Sequence, residues 1–86
     1  MAAPIAARRW READGEHIDV RGLAPPQPLV AILALVRELD ASATPLTVHH
    51  ERDPLLLYGE LEDIGWTALP LAGDPGEVRL RLERVR

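Results

Sequence analysis

His17-Ile18-Asp19-Val20-Arg21-Gly22-Leu23-Ala24-Pro25-Pro26-Gln27-Pro28-Leu29-Val30-Ala31-Ile32-Leu33-Ala34-Leu35-Val36-Arg37-Glu38-Leu39-Asp40 is the stretch in which the hydrophobic period changes. His17 to Val20 alternate polar and apolar, the pattern of a short half-buried strand. Arg21-Gly22 turns the chain. From Pro26 to about Asp40, Leu29, Ile32, Leu33, Val36 and Leu39 recur at the i, i+3, i+4, i+7 spacing that gives a helix one apolar face. Pro26 and Pro28 fit the first turn, where backbone N–H groups have no intrahelical acceptor and proline's fixed φ is already helical.

The same logic continues outward. Leu46-Thr47-Val48-His49-His50 reads as a second strand, entered through Ser42, Thr44 and Pro45. Asp53-Pro54 reads as an N-cap and first-turn proline opening a second helix, with Leu56, Leu57, Leu61 and Ile64 as its apolar stripe and Gly65 at its C′ position. Trp66 to Leu71 form a third strand, and Pro70, which cannot donate to a ladder, places it at a sheet edge. Gly73-Asp74-Pro75-Gly76 is a hairpin loop, and Glu77-Val78-Arg79-Leu80-Arg81-Leu82-Glu83 alternates without interruption as the last strand. The order β-α-β-α-β-β implies two parallel crossovers and a closing antiparallel hairpin. The expected fold is therefore α/β: an α+β two-layer sandwich whose mixed four-stranded sheet carries both helices on one face. Val78, Leu80 and Leu82 should face the helices with Ile18, Val20, Leu46 and Val48. The open face should then carry His17, Asp19, Thr47, His49, Arg79, Arg81 and Trp66.

Residues 1–16 read as a flexible N-terminal tail and 17–86 as the domain. Arg8-Arg9-Trp10-Arg11 is taken as a solvated segment whose Trp10 can lie on the domain, because Glu12, Asp14 and Glu16 dilute its charge at once. The 86-residue length excludes a second core, and 47% hydrophobic content excludes disorder. The basic residues are all arginine and number 10 against 14 acidic ones; the net charge of -4 argues against nucleic acid as a partner. There is no cysteine, hence no thiolate chemistry. No apolar run has the length of a signal-peptide core or a membrane span, so a cytoplasmic chain without membrane contact is expected.

Asp19-Val20-Arg21-Gly22-Leu23-Ala24-Pro25-Pro26-Gln27-Pro28 resembles the opening of the TusA/SirA-like sulfur carriers, which carry Asp-x-Arg-Gly-Leu and then Cys-Pro-x-Pro at the start of the first helix. Asp53-Pro54, Gly65-Trp66 and Val78 to Leu82 continue the likeness over residues 17–86. Where the carriers have their persulfide-bearing cysteine this chain has Pro25, so sulfur relay is not expected of it. A closer match is a cysteine-less family of unknown function with the same fold, in which a segment like His49-His50-Glu51-Arg52-Asp53-Pro54-Leu55-Leu56-Leu57-Tyr58 recurs. The resemblance implies strand order 1-2-4-3, with the last of the four antiparallel to the rest. It also implies an accessory role near sulfur or nitrogen-oxide and redox metabolism.

Three histidines raise the question of a metal. His49 and His50, adjacent on one strand, point to opposite faces, and His17 and His50 fall at opposite ends of parallel strands, so no metal site and no cofactor are expected. Arg21-Gly22 before a helix start invites an anion, although Pro26 and Pro28 remove two of the donors that would hold it. No grouping of residues points to catalysis. A non-enzymatic binding domain is the expectation, with Asp19, Arg21, Gly22, Pro26, Pro28, His49, Trp66, Arg79 and Arg81 as contact residues. Its partner would be a protein or a second copy on the open sheet face; the alternative is a small anion near Arg21.

Overall fold

The computed structural model describes residues 7–85. The elements follow as β1 (Arg8–Glu12), β2 (Gly15–Asp19), α1 (Gln27–Leu39), β3 (Leu46–His50), α2 (Leu55–Asp63), β4 (Trp66–Leu71) and β5 (Val78–Arg84). The sheet is mixed and five-stranded, in the order β1-β2-β3-β5-β4. β2 and β3 are parallel, whereas β5 is antiparallel to both β3 and β4. Four of these strands keep the expected 1-2-4-3 order, and Pro70 does lie on an edge strand.

The fifth strand is a correction. Arg8–Glu12, expected to be tail, pairs antiparallel with β2 through a two-residue loop at Ala13 and Asp14, since Glu12 opposes Gly15. Gly15 has φ +126, and a Cβ there would stand 2.5 Å from the Pro45 carbonyl oxygen, so the loop needs glycine on both counts. The part of the expected tail at residues 1–6 lies outside the described residues.

One apolar cluster sits between the sheet and both helices: Ile18 and Val20, Ile32, Leu33, Leu35, Val36 and Leu39 of α1, Leu46 and Val48, Leu57 and Leu61 of α2, Trp66, Leu80 and Leu82. The alternation of β5 is obeyed, with Leu80 and Leu82 inward and Arg79 and Arg81 opposite His49 and Thr47 on the other face. Trp66 is a second correction. It is 2% exposed in the helix-side core, and its indole Nε1 donates to Asp40 Oδ1 at 2.7 Å. Opposing Arg84, it shares parity with Ala68 and Leu82, so Thr67, Leu69 and Leu71 take the open face instead.

The second helix also differs in detail. Its N-cap is Pro54 with no side-chain cap, because the Asp53 carboxylate instead accepts the Tyr58 hydroxyl at 2.5 Å. Burial, with that bond second, pushes the Tyr58 phenol up to about 12. Gly65, at φ +79, follows the C-cap as expected. Leu57 and Leu61 are buried, but Leu56 and Ile64 are not. No helix among the described residues is long and apolar enough to cross a membrane.

Candidate functional site

On the helix-free face the register brings His17 of β2 and His49 of β3 diagonally together, since His17 opposes Thr47 and Asp19 opposes His49. His17 Nδ1 lies 3.0 Å from His49 Nε2, His17 Nε2 is 2.8 Å from Asp14 Oδ1, and His49 Nδ1 is 2.5 Å from Glu77 Oε2. A carboxylate, two imidazoles and a second carboxylate thus form one chain from the β1–β2 loop over β2 and β3 to the residue before β5. The Trp10 indole lies over it, with ring centroids 5.2 Å from His17 and 5.3 Å from His49, nearly parallel to both. Under this cover the two histidines are only 6% and 9% exposed. The Arg79 guanidinium, then the Asp74 N–H and His49, hold the Glu77 carboxyl down at about 2.

Most of the residues singled out from the sequence on this face are tied to one another. Asp19 accepts Arg21 Nε and Nη2 at 2.9 and 2.8 Å and the Arg21 N–H at 3.0 Å, which closes the turn after β2. That ion pair holds the Asp19 carboxyl below its ordinary value and raises the arginine. Arg79 binds Glu77, and Arg81 binds Glu83 and the Asp14 carbonyl. Gly22, at φ +85, donates its N–H to Glu51, linking the loops that lead into the two helices.

Those loops frame a second region. A groove of about 250 Å³ is lined on one side by Leu23, Pro25, Pro26, Pro28 and Leu29, and on the other by the segment from His50 to Leu57. Pro26 is exposed at its rim and Pro28 is buried beneath it. Leu55 and Leu56 flank it at 73% and 77% exposure, while Leu57 is 0% exposed. Three polar side chains line the groove, His50, Arg52 and Asp53, and the Asp53 carboxylate is engaged by the Tyr58 hydroxyl. His50 Nδ1 accepts the N–H groups of Glu51 and Arg52 at 2.9 and 3.2 Å, so the ring hydrogen sits on Nε2, for which no partner exists among the described residues. Burial holds this imidazole below its ordinary value, hence neutral near pH 7. Arg52 likewise has no ion pair among the described residues.

Of the residues singled out from the sequence, Pro26 and Pro28 line this groove and Gly22 lies on the loop leading into it, whereas Trp10, Asp14 and Glu77 had been left out of any site. The Asp14-Gly15 turn signal, read as a hairpin, would have found the first two. A family model described as "Uncharacterized conserved protein (DUF2249)" matches residues 17–84. No curated protein matches, and no solved structure matches.

Proposed function

We propose that this chain, which belongs to the DUF2249 family of uncharacterized conserved proteins, is a non-enzymatic binding domain that takes an apolar segment of a partner protein into the groove between its two helix starts. The observation that carries the reading is the pair Leu55 and Leu56, 73% and 77% exposed beside a proline-lined groove. Adjacent large apolar side chains left in water at a concave site are the usual mark of an interaction surface. The groove's volume of about 250 Å³ falls below the range of roughly 300–1,000 Å³ that encloses small ligands, and its leucines stand on the rim, where a partner's surface would cover them. The His50 Nε2–H and the Arg52 guanidinium favour a segment that presents a carbonyl or carboxylate next to its apolar residues.

The likeness to the sulfur carriers belongs to the same proposal. Pro25, at the position of their cysteine, lines this groove, so the domain would keep the surface and not the thiol. An accessory role in sulfur or nitrogen-oxide metabolism is compatible with such a docking domain.

Selection from a random-peptide library tests this directly. Enriched peptides should combine neighbouring apolar residues with an acidic residue or a terminal carboxylate. Their affinity for the Leu55→Glu/Leu56→Glu variant should fall by at least about tenfold, equivalent to ~1.4 kcal/mol. Peptides that bind the double variant as well as the parent chain would overturn the proposal. A second reading keeps the helix-free face as the partner surface. It is favoured by Leu69 and Leu71, 45% and 40% exposed on the side that carries Arg79 and Arg81.

A further inference from the structure

The backbone supplies the first donors at the groove. The opening N–H groups of a helix have no intrahelical acceptor and point back along its axis. In α1 the Gln27 N–H is taken by the Ala24 carbonyl and Pro28 has none, which leaves the N–H of Leu29. In α2 the N–H groups of Leu55 and Leu57 are taken by the Asp53 and Pro54 carbonyls, which leaves that of Leu56. Neither remaining group has an acceptor among the described residues, and Leu29 and Leu56 line the groove from its two walls. Two helix starts meeting at one space also favour negative charge there.

A second, independent observation is His50, which is 4% exposed and lines the same groove. Its Nδ1 accepts the N–H groups of Glu51 and Arg52, which can only donate, so the backbone alone places the ring hydrogen on Nε2. Among the described residues no side-chain nitrogen or oxygen is fully enclosed without a partner, so the unpartnered Nε2 reaches open space, and the space that His50 lines is the groove. Arg52 adds a guanidinium on the same wall. The carboxylates beside it are turned elsewhere, Glu51 to the Gly22 N–H and Asp53 to the Tyr58 hydroxyl. In a chain of net charge -4, an apolar groove ringed by unengaged donors and a free cation is complementary to an anion that carries an apolar group.

We infer that the groove holds the free C-terminal carboxylate of a partner chain, with the apolar last side chain of that chain against the proline and leucine walls. This rests on the docking reading above and names the part of the partner that enters. A terminal carboxylate shares its Cα with the last side chain, so the donors and the apolar walls are reached by one residue. A volume of about 250 Å³ suits such an end, whereas the middle of a chain must both enter and leave. Capture of a terminal carboxylate by backbone N–H groups is an established mode of peptide recognition.

The test measures fluorescence anisotropy of two pools of hexapeptides, labelled at their N-termini and ending in Leu, Ile, Val or Phe, on the full chain. One pool has free C-terminal carboxylates and the other is amidated. The acids should bind saturably, and the amides at least about tenfold more weakly. Arg52 is exposed, so Arg52→Gln should fold as the parent does and narrow the gap between acids and amides. Equal binding of acids and amides, lost together in Leu55→Glu/Leu56→Glu, would overturn this inference and leave the docking reading in place. Binding of neither pool would also overturn it, and the random-library selection then decides the docking reading by itself. Displacement of the acids by 4-methylpentanoate as effectively as by an unlabelled peptide would assign the groove to a small carboxylate and overturn the peptide terminus as its ligand.

Discussion

The helix-free face and the groove at the helix starts are built in opposite ways. On the face, polar side chains are shielded and engaged with one another: the His17–His49 pair is held between Asp14 and Glu77, and Arg79 and Arg81 reach glutamates two residues away. In the groove, apolar side chains are in water, and a donor and a guanidinium have no partner among the described residues. Internal satisfaction makes the first a rigid surface with little spare hydrogen-bonding capacity. The second still gains by being covered, since each buried apolar side chain returns about 25 cal/mol per Å² removed from water. A face rich in charged and aromatic residues thus draws the eye in the sequence, while the quieter proline-leucine surface carries the unfilled binding capacity.

The sharpest way to break this contrast uses two neighbours in α2. Leu57→Ala should cost about 2–5 kcal/mol in chemical denaturation, because residue 57 is fully buried and deletion leaves a cavity. Leu56→Ala, one position earlier, should change stability by no more than roughly 0.5 kcal/mol. Comparable losses at the two positions would mean that Leu56 packs into the fold and is unavailable to a partner.

On the helix-free face the next effect is Trp10→Ala, which removes the stack on both histidines and the bond to Glu12. A loss of about 1–3 kcal/mol is expected, from two aromatic contacts and a charge-assisted hydrogen bond. A negligible loss would return Arg8–Glu12 to the status of a tail. Acid sharpens the same point. Glu77 titrates at about 2 in the fold against an ordinary 4.5, so its contribution is present above the unfolded value and is lost as pH falls from about 4.5 toward 2. Glu77→Gln should flatten stability across that window relative to the parent chain. Identical acid profiles would show that the Arg79 and His49 contacts do not persist in solution.

The smallest expected effect is that of Arg79→Glu/Arg81→Glu on association. If the groove is the working surface, solution mass and peptide binding should be unchanged by this double substitution. Loss of either without unfolding would move the function to the sheet face.

Two kinds of sequence signal behaved differently in this chain. Strong alternation located β5 and the inward set Val78, Leu80 and Leu82, because charged and apolar residues cannot exchange faces there. In β4 both faces carry apolar groups, Trp66 and Ala68 on one and Leu69 and Leu71 on the other, so parity had no local marker and Trp66 was assigned outward. β1 has no apolar alternation, being arginine and glutamate around a single tryptophan, and only its pairing with β2 makes it a strand. The histidine contact was hidden for a third reason: it joins residues 32 apart through a diagonal across parallel strands, which depends on register. The groove was half legible, since its proline rim was singled out for an anion, while Leu56 was read as part of a buried stripe and Leu55 was not singled out at all.

The most direct measurement is a two-dimensional amide NMR titration of the uniformly labelled chain with anilinonaphthalene sulfonate, an apolar anion that samples both regions at once. Saturable shifts should cluster at Leu23, Ala24, Gln27, Leu29 and His50 to Leu57, with Trp10, His17, His49 and Arg79 to Arg81 unmoved. Shifts centred on Trp10 and the histidines, with the groove silent, would contradict the account.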